Sequence, residues 1–321
     1  KAAQEIRQRI EKEIAEKRAA KQINIGTFHS ICLNLLQKLK PGIMLIDESG
    51  AKDIATEIIN KYSLKITPKD FINKISDIKN DITQPDEQLG LDFYNEYNLK
   101  LQEQSLMDFD DLILQTLSIM NTEKPEKIIK KGMFDYLLVD EFQDINAKQY
   151  ELIKLWNSLG KNLFVIGDPD QSIYGFRGSD SYCFDKIKTD FTGLDIIKLI
   201  NNYRSTPEII NCALQVISKN SGEERILKPQ IKAGDKVKLI TTASDLSEGI
   251  FIAKEINRLM GGIDMLDAQS AFSKGNYDNE RSFSDIAVLY RTHKQGEMIE
   301  KCLKKEGIPY IVAGRENYLD D

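Results

Sequence analysis

Apolar residues recur along the chain at two spacings, helical and continuous, and their order predicts an α/β protein. Ile6, Ile10 and Ile14 stand one helical turn apart and predict a helix over Lys1 to Lys21 that is already under way at the first residue. A short strand is expected at Ile23 to Gly26, followed by a helix with Ile31, Leu35, Leu36 and Leu39 on one face, which Pro41 and Gly42 end. From there to about Gln104 the pattern is helical, broken at Pro68, Pro85 and Gly90, and reads as a helical insertion. Phe134 to Val139 and Asn162 to Ile166 are short apolar runs that end in Asp140 and in Gly167-Asp168, as buried parallel strands do. The helix between them, Ala147 to Leu159, turns Leu152, Ile153, Trp156 and Leu159 inward and stops at Gly160, completing a βαβ unit. A third strand is expected at Asp195 to Ile200, then a helix opened by Ser205 and Glu208 at capping-box spacing with Pro207 in its first turn. Strands at Val237 to Thr241, Ile286 to Tyr290 and Tyr310 to Val312 alternate with helices at Leu246 to Met260 and Lys294 to Glu306, as a second α/β domain would. Gly261 to Ser282, rich in Gly, Ser, Asn and Asp, is expected to be a mobile loop.

Composition narrows the class. The chain has 321 residues, room for two domains, and 44 Lys and Arg against 50 Asp and Glu, so no global basic field marks a nucleic-acid partner and any such contact must be local. Cys32, Cys183, Cys212 and Cys302 lie far apart, which fits neither a zinc cage nor a disulfide framework and suits a reducing, cytoplasmic setting. No run approaches the roughly 18 apolar residues of a membrane span, and none is expected. Lys1 is not a methionine and the chain ends on a polar, acidic tail, so both ends are expected to be internal to a longer protein.

Two segments carry candidate chemistry. Val139-Asp140-Glu141-Phe142-Gln143-Asp144 places paired carboxylates at a strand end, where Asp140 could hold Mg²⁺ through water and Glu141 orient the water that attacks a γ-phosphate. The alternative is that these acids merely cap the next helix. Gly167 to Gly178 is dense in turn formers yet carries Tyr174, Phe176 and Arg177, rings and a cation suited to stacking on unpaired bases at about 1–3 kcal/mol per base. The alternative there is that the rings fold under the loop as a small satellite core. His29 and His293 have no cysteine beside them and make a poor metal site.

In order and in letters these segments resemble the UvrD/PcrA/Rep-type superfamily I DNA helicases. Asp140-Glu141-Phe142-Gln143-Asp144 resembles their motif II, Gly167 to Gly178 motif III, Thr27-Phe28-His29-Ser30 motif Ib and Asn202-Tyr203-Arg204-Ser205-Thr206 motif IV. Lys1-Ala2-Ala3 with Glu5 and Arg9 resembles the tail of motif Ia, and Met107 to Leu112 the acidic-aromatic helix before motif II. Val288 to Thr292 and Ile308-Pro309-Tyr310 are similar to parts of the second motor domain. The resemblance implies two RecA-like parallel-sheet domains: the first in 1–40 and 105–196, interrupted by a helical insertion at 41–104, and a partial second at 197–321. It implies an ATP-dependent 3′ to 5′ translocase acting on single-stranded DNA and duplex junctions, with ATP and Mg²⁺. Gln171 would sense the γ-phosphate, Arg204 would stabilise the transferring phosphoryl and Tyr203 would stack on adenine. Thr27, Phe28, His29, Tyr174, Phe176, Arg177 and His293 would face DNA. His293 stands where relatives often carry Asn, and Gly175 and Phe176 replace the usual arginine and tryptophan. No Gly-x-x-x-x-Gly-Lys-Ser/Thr occurs in the chain, and motifs V and VI are missing, so these residues alone are expected to turn over no ATP. Two rival readings are a non-catalytic DNA-binding or scaffolding relic of such a motor, and a carboxylate-metal nuclease using Asp108, Asp110, Asp140 and Glu141.

Overall fold

The computed structural model of the chain describes residues 2–14, 22–83, 90–122, 134–158, 160, 162–175, 178–179, 182–220, 224–261 and 282–313. They fall into two units, one of residues 1–199 with 217–225 and one of 200–216 with 226–321. Architecture is mixed α/β with short parallel sheets, as the apolar pattern predicts.

In the first unit, α1 spans Ala2–Glu13; the rest of that expected helix, 15–21, lies outside the described residues. Thr27 caps α2 (Phe28–Leu39), its side chain accepting the Ser30 N–H at 3.3 Å, and Cys32, Leu35 and Leu36 are buried on one face. The helical stretch that follows contains α3 (Glu48–Lys61, capped by Asp47), α4 (Pro68–Lys79, capped by Thr67 with Pro68 in the first turn) and α5 (Gly90–Glu103). These three helices share a core of their own built on Ile54, Ile58, Phe71, Ile75, Tyr97 and Leu101. A two-residue parallel pair, β1 (Met44–Leu45) with β2 (Leu106–Met107), borders it.

A separate core in the same unit gathers Leu36, Leu112, Leu117, Met120, Leu137, Val139, Phe142, Leu152, Ile153 and Trp156. It joins α2 to α6 (Phe109–Thr122), β3 (Tyr136–Val139), α7 (Ala147–Asn157) and α8 (Cys183–Asp190). β3 pairs in parallel with β4 (Asn162–Val165) in register Tyr136 to Asn162 through Val139 to Val165, so the expected βαβ order of strand, helix and parallel strand is present. The strands were expected to be buried on both faces, and they are not. Leu137 and Val139 are covered, whereas Leu138 is 72 % exposed and Phe164 53 %.

In the second unit, β5 (Asn201–Asn202) pairs in parallel with β6 (Lys228–Pro229). Helices α9 (Pro207–Ile217), α10 (Asp245–Leu259) and α11 (His293–Lys305) carry the apolar faces, and Ala253, Ile256, Ile299, Cys302, Leu303 and Ile308 form the core of α10 and α11.

The runs expected as strands at 23–26, 195–200, 237–241, 286–290 and 310–312 form no ladder among the described residues. A strand exists only with a hydrogen-bonded neighbour; the 195–200 run reaches one only at its last residue, where the Ile200 carbonyl accepts the Lys228 N–H at 2.7 Å, and Leu239 and Leu289 stand 94 % exposed and Ile311 96 %. Residues 262–281, expected to be a mobile loop, lie outside the described residues.

Candidate functional site

β3 delivers Asp140 to the surface, and the chain then turns sharply. Glu141 takes φ 51°, ψ 45°, the left-handed region, which costs a residue with a Cβ about 1–2 kcal/mol. The turn is held from both sides. Phe142 donates its N–H to the Ile166 carbonyl at 3.0 Å, and its fully buried ring meets Tyr150 and Phe184 edge-on. Asp140 Oδ1 accepts the Glu141 N–H at 3.0 Å, and the Asp144 N–H returns to the Glu141 carbonyl at 2.9 Å. The acids do not cap the next helix, because Asn146 and Gln149 close a capping box on α7 themselves.

Gln143, 2 % exposed, is the hinge of the site. Its Nε2 donates to Glu141 Oε2 at 2.6 Å, while its Oε1 accepts the Asp168 N–H at 3.0 Å. Asp168 in turn caps the 3₁₀ turn Pro169–Gln171, taking the Asp170 N–H on Oδ1 at 3.0 Å and Gln171 Nε2 on Oδ2 at 2.8 Å. A hydrogen-bonded chain therefore runs Glu141, Gln143, Asp168, Gln171 and joins the tips of two adjacent parallel strands. Only glycine fits at 167, where a Cβ would lie 2.9 Å from the Phe142 nitrogen and would press into Oε1 of the Gln143 side chain. Asp170 is gripped by Arg225 through Nε at 2.7 Å and Nη2 at 2.8 Å, with Asn220 adding a contact at 3.2 Å, and the guanidinium holds that carboxyl below its usual range. Burial, and then the Glu141 charge, pushes the Asp144 carboxyl up, and its buried Oδ1 has no protein partner. Sequence reading gave no role to Gln143, Asp168 or Asp170. The available signal was a neutral amide set between acids immediately after a strand.

On the neighbouring loop, Ser172 Oγ donates to the Gln143 carbonyl at 3.1 Å. Beyond it Ile173 and Tyr174 are exposed, and Gly175 has open space around it. Tyr174 is 39 % exposed and is not part of the buried clusters among the described residues. Phe176 and Arg177 lie outside the described residues. Thr27 is spent capping α2. Phe28 stacks on Trp156, ring centroids 5.9 Å apart and planes 14° apart, so one face of that ring is committed to the core. His29 lies edge-on to Phe109 at 5.7 Å; burial lowers its pKa, with Asp110 opposing, so it is neutral at pH 7. No group of three or more potential metal ligands is found among the described residues.

Asp108, Asp110 and Asp111 are engaged otherwise. Lys79, its side chain wholly buried, donates to Asp108 at 2.7 Å and Asp111 at 2.6 Å, and Asn80 donates to Asp110 at 2.8 Å. Of the four acids that the nuclease reading names, Asp108 is paired with a buried lysine and Asp110 is held by the Asn80 amide, whereas Asp140 and Glu141 remain exposed.

The second unit carries Tyr203, 73 % exposed, and the exposed Arg204 in a turn where Asn202 Oδ1 accepts the N–H groups of Arg204 at 3.0 Å and Ser205 at 2.8 Å. The expected Ser205–Glu208 capping box does not close. α9 starts at Pro207, and Glu208 accepts the Gly234 N–H at 2.9 Å. His293 is the first residue of α11, which Thr292 and Gln295 cap.

Paired acids at the tip of a parallel strand, bonded through one amide to a polar turn at the tip of the next, place the site at the strand ends of an α/β protein, where ligands of such sheets bind. The family described as the UvrD/REP helicase N-terminal domain matches residues 1–192, and the UvrD-like helicase C-terminal domain matches 197–320. The chain belongs to the UvrD-like helicase family, whose domains are RecA-like. It is 31 % identical over 340 residues to the ATP-dependent DNA helicase PcrA of Staphylococcus epidermidis, and 31 % identical over 344 residues to that of Staphylococcus aureus. Each alignment covers 100 % of this chain and 44 % of the relative, so the chain spans less than half the length of these relatives.

Proposed function

We propose that this chain supplies part of the motor of an ATP-dependent 3′ to 5′ DNA helicase, with ATP and Mg²⁺ at one site and single-stranded DNA or a duplex junction at another. The observation that carries this reading is the chain Glu141–Gln143–Asp168–Gln171, which physically joins the candidate base to the candidate phosphate sensor. Residues 1–40 with 105–196 form the first motor domain, 41–104 the helical insertion and 197–321 part of the second motor domain. The separate helical core supports the first of these divisions.

Asp140 and Glu141 are exposed oxygen donors at a strand end, a set that suits a hard cation bound largely through water and phosphate; bound Mg²⁺ would neutralise phosphate charge. Glu141, turned by its backbone and fixed by Gln143, orients and deprotonates the attacking water. Gln171, tethered to Asp168, reads the γ-phosphate. Arg204, exposed on its turn, stabilises the transferring phosphoryl and Tyr203 stacks on the base. Tyr174, with Phe176, Arg177 and the outer face of Phe28, stacks on and steadies unpaired bases, with Thr27, His29 and His293 beside them. Such contacts are sequence-tolerant and sensitive to salt. Without a phosphate-cradling glycine loop these 321 residues alone turn over no ATP. Four free, scattered cysteines fit a cytoplasmic setting, and no helix among the described residues is long and apolar enough to cross a membrane.

The test is Glu141→Gln in the longer protein that carries a phosphate loop. ATP and single-strand binding are expected to stay within about twofold while turnover falls by at least about a hundredfold, in line with loss of a general base. Persistent ATP hydrolysis would show that Glu141 is not the base.

A further inference from the structure

The end of α4 and the three residues after it, 79–82, leave the helical core and meet the other core of the same unit. Lys79 is buried between Asp108 and Asp111 at the start of α6. Asn80 donates through Nδ2 to Asp110 at 2.8 Å and accepts the Asn146 amide on Oδ1 at 2.9 Å. Asp81, in the left-handed region at φ 58°, pairs with Lys148 at 2.5 Å. The Ile82 side chain occupies the space a Cβ would need at Gly178, itself at φ +80°.

Asn146 is where these contacts converge. It follows Asp144 by two residues, its Oδ1 caps α7 through the Gln149 N–H at 2.9 Å, and its backbone forms an isolated antiparallel bridge with Ser179. Ser179 closes the Tyr174 loop by donating its N–H to the Tyr174 carbonyl at 3.4 Å. One asparagine thus links three things: the helical stretch through its side-chain amide on Asn80, and through its backbone both the acid turn next to it and the aromatic loop at Ser179.

We infer that Asn80 is a positioning residue: its hydrogen bond to Asn146 locks the acid turn and the aromatic loop to the helical stretch, so that the three move as one piece. Under the helicase reading, on which its functional meaning rests, a load borne by the helices reaches both the nucleotide acids and the base-stacking loop through this bond. The bond itself is a property of the polypeptide and is measurable without ATP or DNA.

The experiment is hydrogen exchange on the full 321-residue chain in the absence of ligand, comparing wild type with Asn80→Ala, Asn146→Ser and the double variant. Serine keeps a good cap for α7 but its shorter side chain lacks the amide nitrogen that reaches Asn80. Asn146→Ser is expected to speed exchange in segments 146–150 and 174–179 about tenfold, as loss of one hydrogen bond does, and Asn80→Ala by at least as much because it also removes the donations to Ser76 and Asp110, while segment 54–59 in α3 is unchanged. The double variant is expected to add nothing beyond Asn80→Ala alone. Additive effects, unchanged exchange at 174–179, or a uniform rise that includes 54–59 would overturn the assignment, because each is what a merely local or merely structural role produces. Should Asn80→Ala fail to fold, the comparison of Asn146→Ser at 174–179 against 54–59 decides alone. Failure of Glu141→Gln to abolish turnover would leave this result standing.

Discussion

Replacing Lys79 by methionine keeps the stem and removes the ammonium from a fully buried position. Two carboxylates, each 17 % exposed, lie 2.7 and 2.6 Å from that nitrogen. At an effective dielectric of about 20 each contact is worth roughly 6 kcal/mol of Coulomb attraction, most of which offsets the cost of drying the three groups. What the substitution exposes is the other side of that balance: Asp108 and Asp111 are left facing each other without a counter-ion. Unfolding free energy should fall by about 3–5 kcal/mol at pH 7.5, the usual cost of breaking a buried pair from one side. The pH dependence follows from Asp111. Burial, and then the Asp108 charge, already raises its pKa against the pull of Lys79, and without Lys79 it rises further. A carboxyl with a raised folded pKa binds a proton that the unfolded chain releases, so the folded state gains as pH falls from the folded value toward the unfolded one, 3.8. The deficit of Lys79→Met is therefore expected to shrink between pH 7.5 and pH 5. Lys79 itself has its pKa raised by the two acids in spite of burial, so its own contribution is complete at both values and fades only above 10.5. Urea unfolding followed by the fluorescence of Trp156, the one tryptophan and buried in the same unit, reads the effect. Adding Asp108→Asn and Asp111→Asn should restore most of the loss, because amide oxygens can still accept the two backbone N–H groups those side chains hold. A deficit below about 1 kcal/mol, or one equal at pH 7.5 and pH 5, would refute the account of a dry, charge-balanced joint.

Two further outcomes follow from the site. Gln143→Leu should lower unfolding stability by about 0.5–1.5 kcal/mol, because the Asp168 N–H loses its acceptor; in the longer protein it should lower kcat for ATP with KM little changed, and an unchanged kcat would remove Gln143 from the positioning of Glu141. Asp170→Asn should destabilise the chain at neutral pH, since Arg225 holds the Asp170 carboxyl below its usual range; that contribution is present above the unfolded value of 3.8 and is lost as pH falls through the folded one, so the wild-type and variant unfolding curves should converge in acid.

How far the sequence could be read depended on whether a feature is local. The acid turn is local: an apolar run, two acids and a buried phenylalanine fix where the strand ends, and Asp140 and Glu141 stand where that pattern puts them. The start of α7 at Ala147 and the parallel pairing of β3 with β4 follow from the same short-range logic, although the helix ends at Asn157, short of the expected Leu159, which lies outside the described residues. Strands are not local. Val237 to Thr241 and Ile286 to Tyr290 have strand composition, yet composition cannot supply a hydrogen-bonded neighbour, and no ladder forms at either among the described residues. The Ser205–Glu208 box failed for a related reason: Glu208 found a backbone partner 26 residues away at Gly234, a competitor invisible in the four-residue pattern. Gln143 was overlooked because its use depends on how closely β4 delivers Gly167 and Asp168, a distance set by the sheet.

The same distinction explains how the candidate base is held. A left-handed residue is ordinarily glycine, which would remove the strain at 141 and the carboxylate with it. The chain keeps glutamate there, so the turn must be stabilised by its neighbours: the Phe142 ring in the core, the Phe142 N–H on Ile166, the Asp140 oxygen on the Glu141 N–H. None of these touches the Glu141 carboxylate. That group is left to Gln143, whose other end is fixed to Asp168 at the tip of the next strand. Backbone strain therefore sets where the carboxylate emerges, and a single amide sets where it points. Any shift of the β4 tip that pulls on Asp168 must turn Glu141 as well, which makes the spacing of two strand ends, and not either acid alone, the quantity that the site is built to control.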